Sequence, residues 1–211
     1  MDTFTGFPAA AFEFYAALEE NNNREWWLAH KAQYDADVLA PLDSLRRGLE
    51  PRFGPGRIFR PNRDMRFAAA GGPYKTAQGM FLSHYEDVGY YLHLDADGLS
   101  VGGGYRSSAP AQLGRFRAAV DAPSSGAALV EIARQLEADG YALSPPDLKS
   151  APRGFPKDHP RAELLRHKTL SASMALGRPG WLNDRRAEKQ LSEHWEHLRP
   201  LVEWVIRHAA P

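Results

Sequence analysis

The residues best suited to chemistry form an arginine-rich run in the first third of the chain. Residues 60–67 read Arg-Pro-Asn-Arg-Asp-Met-Arg-Phe, and residues 73–76 read Pro-Tyr-Lys-Thr. These stretches contain three guanidiniums and an ammonium but only one carboxylate, Asp64, which cannot accept hydrogen bonds from all of their donors. Because a guanidinium matches phosphate and carboxylate oxygens in pairs, the run predicts a site for an anionic ligand. The predicted ligand-binding residues of this run are Arg60, Arg63, Arg66, Tyr74 and Lys75.

Basic charge is concentrated in two separated segments, although the 26 basic and 26 acidic residues cancel over the whole chain. Residues 44–76, the first basic segment, carry eight basic and two acidic side chains. Residues 148–183, the second basic segment, carry seven and two. Either the two segments bind an anion, or they form internal ion pairs with the acidic stretches of the chain.

The second basic segment contains a loop suited to covering an anion site. Five prolines between residues 144 and 160 disfavour regular secondary structure there. We expect the two basic segments to meet, with Arg153 or Arg161 closing over an anion that the first segment holds. Because like charges repel, such an arrangement requires a ligand anion or protein carboxylates for compensation.

Two residues are candidates for catalytic proton transfer, Asp64 in the first basic segment and His159 in the second. Asp158, His159 and His167 also offer metal-ligand atoms, but their spacing matches no HExxH-type motif. Cysteine is absent, which excludes disulfides and thiolate ligands. The sequence therefore predicts no bound metal and no cofactor.

The composition is that of a globular protein, with 43% hydrophobic and 25% charged residues among 211. No apolar run approaches the roughly 20 residues of a membrane-spanning helix. The first residues lack the basic flank and apolar core of a signal peptide. We therefore expect a cytoplasmic protein without a membrane partner, and the sequence predicts no particular oligomeric state.

Three functions remain open at this stage. The chain could bind a small phosphate- or carboxylate-bearing molecule, with or without catalysis. It could instead be a structural or partner-binding protein whose arginines are paired internally. A nucleic-acid-binding module is the third possibility, but the isoelectric point near 7.1 argues against it, because such domains are usually basic overall.

The elements that must position these residues begin with helices. Phe7, Ala11, Phe14 and Leu18 lie at helical spacing, and a second helical pattern follows the asparagines at 21–23. Pro41 should break or kink that second helix. Of the adjacent Trp26 and Trp27, only one can face inward. Further helices are predicted near residues 108–120, 126–138 and 160–166. A final helical pattern includes Leu191 and Trp195, with a kink or break expected at Pro200.

The middle of the chain has the pattern of strands. Met80 to Tyr85, Val88 to Leu94 and Leu99 to Tyr105 are strand-like, and the turn sequence at 95–98 predicts a hairpin over 88–105. Residues 168–176 predict one more strand. Helices at both ends of a mainly antiparallel central sheet make an α+β fold, which we expect to be a single domain over residues 1–211.

The motifs together resemble the domain of unknown function 2461 family, which is found widely in bacteria and in some fungi. The similarity extends over nearly the whole chain, and the similar stretches are residues 4–8, 22–27, 60–67, 73–76, 159–160 and 164–168. The family has no established activity. The resemblance implies one full-length domain and directs attention to the arginine motif and to the Pro-Tyr-Lys motif at 73–75. The segment before that motif usually carries charged residues in the family, whereas residues 68–72 here are alanine and glycine.

Overall fold

The structure is a computed structural model, which describes residues 3–64, 72–106 and 109–209. Its α-helices are α1 (Ala9–Glu20), α2 (Arg24–Gln33), α3 (Ala40–Phe53), α4 (Pro110–Asp121), α5 (Pro123–Ala138), α6 (Ala162–Leu165) and α7 (Arg186–His208). Its strands are β1 (Gly56–Ile58), β2 (Ala77–Tyr85), β3 (Val88–Asp95), β4 (Leu99–Arg106), β5 (Ala142–Leu143) and β6 (Thr169–Gly177). A π-helical turn, Tyr34–Leu39, and a 3₁₀ turn, Gly180–Asn183, complete the described elements.

The strands form one six-stranded antiparallel sheet in the order β1-β2-β3-β4-β6-β5. At one edge β1 pairs with β2, so that Arg57 lies opposite Phe81. The predicted hairpin of β3 and β4 is present, and its turn is closed by a 3.0 Å hydrogen bond from the Asp95 amide to the Gly98 carbonyl. Gly98 has a φ of 137°, a conformation that side chains other than glycine rarely adopt. The α+β prediction is therefore confirmed.

The described chain divides into two compact units, each containing segments of the sheet. The first comprises described residues within Met1–Leu82, Tyr91–Val101 and Ala175–Glu193. Its core is built of buried aromatic and aliphatic side chains, among them Phe7, Phe14, Leu18, Leu42, Leu45, Met80, Leu82 and Leu92. Burial of such apolar area is the main force that stabilises the unit. That the whole chain forms a single domain stays a prediction.

A break or kink of the second helix was predicted at Pro41. In the first unit, the π-helical turn Tyr34–Leu39 separates α2 from α3 just before this residue. Pro41 lies in the first turn of α3, where its missing N–H group costs least. Asn23 caps α2 by accepting a 2.9 Å hydrogen bond from the Trp26 amide. Trp27 is buried and Trp26 is half-buried, as predicted for an adjacent pair on one helix.

The second unit comprises described residues within Ser83–Tyr90, Gly102–Met174 and His194–Pro211. Trp195 is fully buried there, with its ring 5.5 Å from that of Tyr90. Of the two alternatives predicted at Pro200, a kink or two helices in series, the second is wrong, because α7 continues through that residue; the kink stays a prediction. Burial of Trp195, Leu198 and Val202 on one helix face outweighs the cost of about 3 kcal/mol for an interior proline.

Among the described residues, we find no helix that combines the length and the apolar character needed to cross a membrane.

Candidate functional site

The arginine motif and the Pro-Tyr-Lys motif pair with each other in the first unit. Asn62 and Tyr74 form an antiparallel bridge. The Arg63 amide donates to the Pro73 carbonyl at 2.9 Å, and the Lys75 amide donates to the Pro61 carbonyl at 2.8 Å. We call this pairing of residues 61–63 with 73–75 the basic ribbon. It brings Arg63, Tyr74 and Lys75 together next to Arg60, whose carbonyl accepts from the Lys75 ammonium, whereas Arg66 lies outside the described residues. That these residues bind a ligand stays a prediction.

Asn22 and Trp27 hold the basic ribbon in place. The Asn22 side chain donates to the Tyr74 carbonyl at 2.8 Å and accepts from the Tyr74 amide at 3.0 Å, as a neighbouring strand would. The Tyr74 ring stacks on Trp27, with centroids 4.2 Å apart and an interplanar angle of 10°. Tyr74 is therefore buried, and its role in this structure is to anchor the ribbon.

Asn22→Ala is expected to lower the free energy of unfolding by about 1–3 kcal/mol, because it leaves two backbone groups of Tyr74 without partners. Urea unfolding followed by tryptophan fluorescence measures this change. Asn22→Asp is the matched variant, since its carboxylate can accept from the amide but cannot donate to the carbonyl. We call the two hydrogen bonds from the Asn22 side chain to the Tyr74 backbone the Asn22 clamp. An Asn22→Ala protein as stable as the wild type would show that this clamp does not hold the ribbon.

Two cations lie against the ring of Phe59, beside the ribbon. The Lys75 ammonium is 6.0 Å from the ring centroid and donates to the Arg60 carbonyl at 2.9 Å. The Arg57 guanidinium carbon is 5.4 Å from the centroids of both Phe59 and Phe81. The negative face of an aromatic ring attracts a cation and restricts its position, so these contacts orient both charges.

The position of Phe59 is set by a buried amide. The Gln78 side chain donates to the Phe59 carbonyl and accepts a 2.8 Å hydrogen bond from the Tyr34 hydroxyl. Tyr34 belongs to the π-helical turn, so the Tyr34 side chain connects this turn to the site by its hydrogen bond to Gln78. Gly79 leaves room for the aromatic rings, because a Cβ atom there would lie 2.7 Å from both the Phe59 ring and the Tyr91 hydroxyl.

The cations at this site differ from the arginines that are balanced by a neighbouring carboxylate. Such close ion pairs are Arg46–Asp43, Arg134–Glu131, Arg186–Asp184 and Arg199–Glu196. Within residues 3–64, 72–106 and 109–209, no carboxylate lies within 4.0 Å of the charged groups of Arg57, Arg60 or Lys75. Arg63 and Asp64 are half-buried, and each has interaction partners. The site thus has three positive charges and aromatic support.

Arg161 and His159 of the second basic segment are brought together, but at the end of α4 in the second unit. Arg161 donates to the Val120 and Asp121 carbonyls, both at 2.6 Å. His159 contacts an Asp121 carboxylate oxygen at 3.0 Å through Nε2 and accepts the Arg161 amide at 3.0 Å through Nδ1. Helix C-termini favour such cationic donors. These contacts tie the proline-rich loop to α4, while Arg153 is exposed.

Sequence reasoning missed a hydrogen-bonded chain on β3. Tyr91, His93 and Asp95 alternate along the strand and therefore share one face of the sheet. The Tyr91 hydroxyl is 3.2 Å from His93 Nδ1, and His93 Nε2 is 3.1 Å from an Asp95 carboxylate oxygen. Burial raises the pKa of the Tyr91 phenol. The alternation of the three residues was the signal, but strand and turn propensities explained each residue separately.

The family comparison covers this whole region. Residues 10–204 match the family model described as Conserved hypothetical protein (DUF2461). The chain belongs to the DUF2461 family. This confirms the resemblance drawn from the motifs, and the match includes the basic ribbon and β3 of this DUF2461 chain. No curated protein and no solved structure matches the chain.

A surface pocket of about 390 Å³ lies near β1 in this DUF2461 chain, lined by Asp35, Leu39, Ala40, Asp43, Arg46 and Ile58. Its polar walls are already paired, since Asp43 binds Arg46 at 2.7 Å and Asp35 binds Lys31 at 2.5 Å. In the part of the chain that the structure describes, no three His, Cys, Asp or Glu side chains are grouped so that they could hold a metal. The cations around Phe59 are therefore the best-supported candidate site.

Proposed function

We propose that this DUF2461 protein binds a small molecule that carries a phosphate or carboxylate group. The anion-binding side chains are Arg57, Arg60 and Lys75, with Arg63 and Arg66 of the same segment beside them in sequence. One observation carries the proposal: within the described residues, no carboxylate lies within 4.0 Å of the charged groups of Arg57, Arg60 or Lys75 to balance them.

The arrangement suits an anion for two physical reasons. A charge-assisted hydrogen bond is worth about 1.5–3 kcal/mol, roughly twice a neutral one. The donors are also held before any ligand arrives, because the Asn22 clamp fixes the ribbon and the Phe59 ring restrains Arg57 and Lys75. Less side-chain freedom is then lost on binding, which favours affinity. The proposal rests on the first basic segment alone, because Arg161 already binds the carbonyls of α4.

Titration calorimetry with sodium phosphate, at constant ionic strength set by sodium chloride, tests the proposal. We expect saturable binding to the wild-type protein. The double variant Arg57→Gln/Lys75→Met removes two charge-assisted contacts, so its affinity for phosphate should fall on the order of 100-fold. The matched control, Arg134→Gln/Lys189→Met, removes the same charge from surface ion pairs and should bind phosphate like the wild type.

Two other results would each favour a different function. Absence of phosphate binding by the wild-type protein, or equal loss in both double variants, would favour a structural protein whose cations serve only the fold. Tighter binding of an oligonucleotide, with a log-log salt slope corresponding to several phosphates, would favour nucleic acid as the partner. A small anion held at one site gives a shallow slope instead.

A further inference from the structure

We propose that Tyr91 is a nucleophile that His93 activates as a general base and that Asp95 positions. The electrophile would be an activated ester or anhydride of a phosphoric or carboxylic acid. This substrate class rests on the proposed anion site, whereas the activation of Tyr91 rests on the geometry of β3 alone.

The two hydrogen bonds that join Tyr91, His93 and Asp95 have a defined direction. A carboxylate can only accept, so Asp95 requires the proton of a neutral His93 ring to be on Nε2. Nδ1 then carries a lone pair and accepts the proton of the Tyr91 hydroxyl. This is the arrangement in which a base withdraws a proton from a weak nucleophile while a third group holds the base in the required tautomer.

Asp95 is well fixed for such a positioning role. Its other carboxylate oxygen accepts the amides of Asp97 and Gly98 at 2.9 and 3.1 Å, within the β3–β4 turn. The carboxylate therefore cannot rotate away from His93 without breaking the turn. The same contacts explain why the residue resembles an ordinary turn aspartate in the sequence.

Tyr91 and two cations of the proposed anion site are neighbours of the same ring, that of Phe59. The Tyr91 ring is 6.1 Å from that of Phe59, against which Arg57 and Lys75 lie. The absence of a side chain at Gly79 permits this approach. Tyr91 is half-buried, and a phenol with an ordinary pKa near 10 is protonated at neutral pH, a state that burial favours further by raising the pKa. A base is therefore needed at the moment of attack.

The proposed step is balanced as follows. The phenolic oxygen of Tyr91 forms a bond to the electrophilic phosphorus or carbonyl carbon, the leaving group departs with its bonding electrons, and the phenol proton moves to His93 Nδ1. His93 then gives that proton to the leaving group. In the second half, His93 takes a proton from water, whose oxygen replaces the phenolic oxygen, and the proton returns to Tyr91. The net reaction is hydrolysis.

Labelling with aryl sulfonyl fluorides tests the activation of Tyr91 without knowledge of the substrate. The phenolic oxygen displaces fluoride from sulfur, and peptide mass spectrometry locates the product. The reagents are neutral benzenesulfonyl fluoride and anionic 4-(fluorosulfonyl)benzoate. We expect Tyr91 to react about 100-fold faster than the exposed Tyr85, the lower end of a general-base contribution. The anionic reagent should react faster than the neutral one, and phosphate should protect Tyr91 from it.

Asp95→Asn separates a positioning role from a structural one. The asparagine oxygen can still accept the Asp97 and Gly98 amides, while its NH₂ group faces His93 Nε2 and moves the ring proton to Nδ1. Tyr91 labelling should then fall to the rate of Tyr85, with an unchanged urea midpoint. The ¹⁵N shifts of His93, assigned with His93→Gln, should report Nε2–H in the wild type and Nδ1–H in the variant.

Equal labelling of Tyr91 and Tyr85 in the wild type, or undiminished labelling of Tyr91 in Asp95→Asn, would overturn this inference. Its failure is distinguishable from failure of the proposed anion site. Phosphate binding without fast Tyr91 labelling rejects only the proposal that Tyr91 is an activated nucleophile. Fast labelling by both reagents without phosphate binding rejects only the anion site.

Discussion

Replacing Trp27 with alanine is expected to lower the free energy of unfolding by about 3–5 kcal/mol, the usual cost of removing a large buried aromatic side chain. Trp27 is 5% exposed, and its ring stacks on Tyr74 and lies 4.9 Å from the ring of Tyr34. The first contact supports the ribbon that carries Lys75. The second supports the side chain that bonds Gln78, which in turn holds Phe59. The substitution should therefore weaken phosphate binding as well as stability.

Two variants serve as controls for Trp27→Ala. Trp27→Phe keeps a ring over Tyr74 and should retain most of the phosphate affinity. Trp26→Ala removes a half-buried ring that stacks on His30 at 4.0 Å, and it should cost only about 0.5–1.5 kcal/mol. Guanidinium unfolding and phosphate calorimetry measure both effects. If Trp27→Ala and Trp26→Ala were equally destabilising, the Trp27–Tyr74 stack would not be the support described above.

Stability should also decrease in mildly acidic solution because of His167. This residue is 2% exposed in the second unit, and burial lowers its pKa, opposed by a hydrogen bond from Nδ1 to the Thr169 carbonyl. Asp147, Glu163 and Arg166 are the charged groups that act on it. The unfolded chain, with a histidine pKa near 6.5, binds a proton more readily than the folded one. The stability contribution is therefore present above about pH 6.5 and is lost as the pH falls below it.

Urea unfolding between pH 7.5 and 5 measures this dependence. One proton taken up on unfolding gives a slope of at most about 1.4 kcal/mol per pH unit. His167→Gln should remove its share of the slope, while His84→Gln at an exposed position should not. Asp147, whose pKa the Lys168 and Thr169 amides lower against the effect of burial, contributes separately at lower pH. A wild-type slope that His167→Gln leaves unchanged would contradict the assignment.

The sequence predicted the parts of the fold that depend on local pattern. Alternating apolar residues and the Asp95–Gly98 turn gave the β3–β4 hairpin, because both signals lie within about eighteen residues of each other. Local pattern could not decide between a kink and a break of the helix at Pro200, where the structure has α7 continuous. This continuity depends on burial of Trp195 and Val202 against parts of the chain remote in sequence.

The candidate site could be predicted only in part for the same reason. The arginine motif and the Pro-Tyr-Lys motif are close in sequence and were predicted to contribute to one site, but their pairing with each other was not predicted. The Asn22 clamp on Tyr74 joins residues 52 positions apart, and no local pattern signals it. Arg57 and Phe59 look like an ordinary edge strand until the Lys75 ammonium is seen over the ring. Likewise, Arg161 looked available until the carbonyls at the end of α4 accounted for its donors.

The most direct test of the anion site is anomalous diffraction from crystals of the wild-type protein soaked in sodium tungstate, a heavy analogue of phosphate. The proposed function predicts an anomalous peak whose surrounding oxygens lie about 3 Å from the Arg57 guanidinium and the Lys75 ammonium. Soaking in excess phosphate together with tungstate should abolish the peak. Tungstate bound at other basic residues, with no density at Arg57 and Lys75, would contradict the central claim.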